Sequence, residues 1–154
     1  MQRQGMSLPF SFMRFLATLS LVASSALAQQ QLPVVQLNAG MHLIHAEVAA
    51  DYGSRMTGLM HRASMPSNAG MLFIFDDNQR QCMWMKNTLI PLSVAFIDEE
   101  GKIINIEEMA PQTEDSHCAT RPSRYALEMN KGWFAARGIK PGATIGGIVK
   151  SAPR

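Results

Sequence analysis

The sequence predicts a mainly β chain, a small antiparallel sandwich or barrel with one or two short helices. Three observations carry that expectation. Short runs rich in Ile, Val, Phe or Met recur along the chain, each is bounded by turn residues, and few helical stretches lie between them to act as parallel crossovers. The runs are Met41–Ala49, Met71–Phe75, Arg80–Lys86, Leu92–Asp98, Lys102–Met109, Arg124–Asn130 and Thr144–Lys150. Asp76-Asp77-Asn78 and Glu99-Glu100-Gly101 read as hairpin turns, and Lys140-Pro141-Gly142 sets Pro and Gly where a type II turn needs them.

Two helices interrupt the strands. Asp51 can cap the first, on which Tyr52, Met56, Leu59 and Met60 recur at helical spacing and would lay one apolar stripe against the sheet. Arg55 and Arg62 then share another face. Gly58, inside this expected helix, costs about 1 kcal/mol against Ala, which is tolerable where a helix packs close to a strand. The second helix takes Asn130 as its cap, Trp133–Arg137 as its body and Gly138 as its end.

Residues 1–28 read as a secretory signal peptide. Arg3 and Arg14 precede the apolar run Phe15–Ala23, which is too short to span a bilayer comfortably, and Ala26-Leu27-Ala28 offers small residues for cleavage before Gln29. Residues 29–40 form a polar leader with a first short strand, and 41–150 a single β-rich domain. Removing residues 1–28 removes Arg3 and Arg14, so the mature chain carries equal numbers of acidic and basic residues. Neutrality argues against a nucleic-acid partner, and no polybasic segment remains for membrane binding. The expected destination is the periplasm or the exterior.

Four blocks of residues resemble one family: Arg55-x-x-Gly58-Leu59-Met60-x-Arg62; Gly70-Met71-Leu72-Phe73-x-Phe75; Trp84-Met85-Lys86-Asn87-Thr88-x-x-Pro91-Leu92; and Leu127-Glu128 followed by Asn130-x-Gly132. In their order and spacing over roughly residues 41–149 the chain is similar to the domain-of-unknown-function 192 family. That resemblance implies a small β-rich barrel or sandwich, often exported in bacteria, and implies no established activity. Ser93 stands where family members commonly carry Asp after Pro-Leu.

In an extended Arg80–Lys86, Cys82, Trp84 and Lys86 share one face and Met83 and Met85 the other. Trp84 beside Lys86 and Asn87 suits a sugar ring or a planar ligand; alternatively Trp84 packs in a second apolar layer. On Arg124–Asn130, Glu128 alternates with apolar neighbours and calls for water or a cation. Arg55, Arg62, Trp84, Lys86, Asn87 and Glu128 are therefore expected either to converge on one cleft, or to resolve into a salt bridge between Glu128 and Arg55 or Arg62.

Cys82 and Cys118, in a chain bound for an oxidising compartment, are expected to form a disulfide. The chain has 12 methionines, and thioethers with thiols and histidines invite a periplasmic copper(I)-handling role. Met56, Met60, Met71 and Met129 nevertheless read as core filling, and Met83-x-Met85 is the tight pair. No zinc spacing, nucleophile elbow, phosphate loop or dinucleotide fingerprint occurs, so no cofactor is expected. Carboxylates suffice in number for a hydrolase of envelope polymers, but nothing in the sequence sets two at a catalytic separation. The leading expectation is a non-catalytic binding or accessory module of the cell envelope for a saccharide or another small polar ligand.

Overall fold

A computed structural model describes residues 31–148. The expected signal peptide lies outside the described residues, as do the last two positions of the Thr144–Lys150 run. The described chain is mainly β: β1 (Val34–Ala39), β2 (His42–Ala49), α1 (Tyr52–Thr57), β3 (Ala69–Gln79), β4 (Cys82–Met83), β5 (Leu92–Ile97), β6 (Ile103–Met109), β7 (His117–Cys118), β8 (Ser123–Asn130), α2 (Trp133–Ala136) and β9 (Ile145–Gly146). Seven strands form one sheet in the order β6-β5-β8-β3-β2-β1-β9, curled as a half-barrel, while β4 and β7 pair separately. The two ends of the large sheet meet at one place. There Ile103 N–H donates to the Ala143 carbonyl at 2.9 Å and Ile145 N–H to the Gly101 carbonyl at 2.8 Å.

One pair departs from the antiparallel expectation. β2 and β3 run parallel, with His45 opposite Ala69 and Ala49 opposite Phe73. Parallel neighbours need a long crossover, and the segment containing α1 supplies it. All six residues of β5 and most of β8 are buried, because both strands have neighbours on each edge and apolar layers on each face. Ala95, Leu127 and Met129 face one layer with Trp133 and Phe134; Val94, Phe96 and Ala126 face the other with Phe73, Met85 and Leu59.

α1 is shorter than its apolar spacing predicts. Its start is as expected, since the Asp51 carboxylate accepts from Ser54 N–H at 2.9 Å while Asp51 N–H donates to the Ser54 hydroxyl. It stops at Thr57 because Gly58 takes a φ of 48°, a conformation open to glycine and costly for other residues. The expected stripe therefore breaks up. Leu59 is buried beyond the helix, but Tyr52 and Met56 face solvent. Gly58 also lies close over the Phe73 ring, where an added Cβ would come within 3.3 Å.

Other expectations are displaced for local reasons. Asp76-Asp77-Asn78 forms no turn but lies within β3, beyond a register irregularity after Ile74 that lets exposed polar residues continue the strand. Only Cys82–Met83 of the Arg80–Lys86 run pairs as strand. α2 is capped by Gly132, not by Asn130. The Asn130 amide instead donates to the carbonyls of Met65 at 3.0 Å and Pro66 at 3.2 Å, tying β8 to the crossover. Cys82 and Cys118 face each other across β4 and β7 and are joined by a disulfide.

Candidate functional site

A narrow slot opens where the end of α1, the residues after β4 and the centre of the sheet meet. Its walls include Met56, Met60, Met83 and Phe73, with Trp84 and Arg55 also lining it and Glu128 contributed by β8. Its volume is about 20 Å³, room for a single water-sized group. A larger cavity of about 210 Å³ lies elsewhere, between the Glu99–Gly101 turn and the β9 region. That one contains none of the residues nominated from the sequence; Tyr125, Thr144 and Ile148 are among its walls.

Glu128 is the unusual member of the slot. It sits at mid-strand on β8, opposite Met71 on β3 and Val94 on β5, and so projects into an apolar layer. The residue is 3% exposed. Among the described residues its carboxyl has no ion-pair partner, since the four salt bridges involve other acids. Burial alone pushes its pKa up to about 8, because a charge there would lose its hydration with nothing in exchange.

Neither arginine neutralises it. Arg55 donates to the backbone carbonyls of Ala50 and Ile74 and pairs with Asp76 at 2.6 Å, so that it staples α1 to β3 from the rim of the slot. Arg62 makes a two-pronged contact with Glu47 on β2. The Arg62 hydrogen bond holds the Glu47 carboxyl below its ordinary range, and Glu47 raises Arg62 in turn. The predicted salt bridge to Glu128 is thus replaced by two others.

The structure brings Arg55, Trp84 and Glu128 to one slot, and leaves Arg62, Lys86 and Asn87 off its walls. Lys86 lies over the Trp84 ring, 5.1 Å from the centroid, and pairs with Glu114 at 3.4 Å. It occupies one face of an indole whose residue is 39% exposed. Asn87 is a turn residue at φ 54°, and its carbonyl accepts from His61 N–H at 2.9 Å. Met56, Met60 and Met83, read from their spacing as core or as a possible inward pair, are instead half-buried or exposed and line the slot. For Met60 the signal is Gly58, which ends the helix before its apolar stripe is complete.

The chemistry open to this arrangement is limited. Glu128 is the single carboxylate on the slot walls. Glu114 is engaged by Lys86, and Glu108 accepts from the buried Ser93 hydroxyl at 2.8 Å. That hydroxyl also accepts from Gly132 N–H at 2.7 Å, so Ser93 supports the turn into α2. A paired acid and base for glycoside cleavage is not assembled at the slot. Among the described residues there is no cluster of three or more His, Cys, Asp or Glu able to hold a metal ion, and no helix long and apolar enough to cross a membrane.

Comparison with known proteins gives the following. The family model DUF192, described as an uncharacterized ACR, matches residues 34–147. The chain is similar to a crystal structure of a candidate transcription regulator from Sinorhizobium meliloti, with 36% identity, a TM-score of 0.69, and coverage of 74% of this chain and 92% of that one. It is also similar to a protein of unknown function from Novosphingobium aromaticivorans, with 31% identity, a TM-score of 0.71, and coverage of 74% and 85%. No curated protein matches.

Proposed function

Since the chain belongs to the DUF192 family, whose description assigns no reaction, we propose from its own site that it is a non-catalytic binding or accessory module. Its site is the slot, which takes one small polar or charged group of a ligand. The observation that carries this reading is Glu128, a buried carboxyl with no internal partner on the wall of an opening. A polar side chain buried in that way costs stability, and a ligand that supplies the missing partner gives the position a use. The lone carboxylate favours binding over acid–base turnover.

The slot admits a tip and not a ring. A saccharide would have to lie across the mouth against the exposed part of the Trp84 indole. The cell envelope is the proposed location, supported by the leader-like first 28 residues and by the Cys82–Cys118 disulfide, a bond that persists in oxidising compartments.

Trp84 provides the test. The other tryptophan, Trp133, is buried, so a Trp133→Phe chain reports fluorescence from Trp84 alone. Titrations with glucose, glucosamine, ethanolamine and cuprous or silver ion should give a saturable change for at least one probe, lost in Glu128→Leu. A flat response to every probe contradicts the reading.

A further inference from the structure

We infer that the slot takes a soft monovalent metal ion, cuprous copper or its stand-in silver, held by the thioethers of Met56, Met60 and Met83 beside the Trp84 indole. The inference rests on the slot being a binding site and names its occupant. Met56 and Met60 come from the end of α1 and the turn after it, and Met83 from β4, so two separate segments deliver methionines to one opening.

Core-filling methionines in this protein look different. Met71, Met85, Met109 and Met129 are fully buried, whereas Met56 is 44% exposed and Met60 and Met83 are half-buried. A flexible apolar side chain left at an open mouth contributes little to packing, and three of them around one opening call for another explanation. The slot's volume of about 20 Å³ suits an ion better than an organic body.

Donor chemistry selects the class of ion. Thioethers are neutral and soft and favour copper(I), while hard divalent ions need roughly six or more oxygen ligands and this slot offers a single carboxylate. Both cysteines are held in the disulfide, so no thiol competes for a soft ion. The indole adds a face that attracts a cation, as its other contact with Lys86 illustrates. Arg55, the one basic residue on the walls, is already offset by Asp76.

The experiment is a silver titration of the full, disulfide-bonded chain in chloride-free buffer, read by calorimetry and by Trp84 fluorescence in Trp133→Phe. The expected result is one tight ion per chain. Affinity should fall by about 100-fold or more in a triple Met56→Leu, Met60→Leu, Met83→Leu chain, and stay unchanged in Met41→Leu, which alters an exposed methionine at the β1–β2 turn. Leucine is close in volume to methionine, so an unchanged thermal unfolding curve for the triple variant separates lost ligation from lost fold. Absence of silver binding, or equal binding by the triple variant, overturns the inference. If an organic probe binds at the slot while silver does not, the binding-site reading stands and the metal assignment falls; if neither binds, both fall.

Discussion

Glu128→Gln is expected to stabilise the protein by about 3 kcal/mol at pH 7, with the gain gone near pH 4. The folded-state pKa of Glu128 is about 8 against 4.5 for the free side chain. A pKa raised by folding means that the folded chain holds the proton more tightly, so its contribution to stability is complete below pH 4.5 and is lost as pH rises toward 8. Each unit is worth about 1.4 kcal/mol, which gives roughly 3 kcal/mol by pH 7 and about 5 kcal/mol above pH 8. Glutamine keeps the shape and does not titrate, so the difference between the two unfolding curves isolates this group. Urea unfolding of both chains between pH 4 and 8.5 checks it, and parallel curves would contradict it. Glu47, Asp51 and Asp98 act in the opposite direction: their carboxyls are held below the ordinary range, and the stability they lend is lost as pH falls through their folded-state values. Removing a group that serves a ligand at a cost to the fold is a recurrent route to a more stable and less functional protein.

A Cys82→Ser, Cys118→Ser chain is expected to lose about 4 kcal/mol, the chain-entropy value for a closed loop of this length. The two cysteines are 36 positions apart, and their bond holds β4 against β7 with only a two-residue ladder to help it. The consequence reaches the slot, because Met83 belongs to β4 and Trp84 follows it directly. Urea unfolding of the double variant should therefore show a lower midpoint, and Trp84 fluorescence should move toward that of a solvated indole before global unfolding. An unchanged midpoint would show that the β4–β7 pair is held by its surroundings alone.

Much of the fold was legible because burial on strands follows local rules. Leu92–Asp98 and Arg124–Asn130 read as strands from β-branched and aromatic content, and the Glu99–Gly101 turn from its composition. There the Asp98 carboxylate accepts from Glu100 and Lys102 N–H groups, as a tight turn between β5 and β6 requires. The parallel β2–β3 pair was not legible, since a strand's neighbour is a long-range choice. The apolar spacing alone overextends α1, because composition tolerates a glycine inside a helix, whereas the positive φ of Gly58 makes it the stop. Asp76–Asn78 has turn composition, yet an irregular strand edge accommodates it equally well.

The candidate site was half legible for a related reason. Which acid an arginine pairs with depends on which strands are adjacent, so the Arg55–Asp76 and Arg62–Glu47 pairs could not be separated in advance from a bridge to Glu128. Once those two pairs form, Glu128 is left alone in an apolar layer, and that isolation is what marks the slot. Met60 is displaced from the expected stripe by the Gly58 stop, while Met83 reaches the slot through the β4–β7 pairing, a long-range contact that local spacing does not show.

The binding role of the slot depends on the Glu128 carboxyl being uncharged and unpartnered inside the folded chain. Its titration, followed by the side-chain carboxyl carbon resonance in ¹³C-labelled, metal-free protein, tests this directly. A midpoint close to pH 8 is the expected result. A midpoint in the ordinary carboxylate range would show that a partner or open water already serves Glu128, and the slot would lose the feature on which its assignment stands.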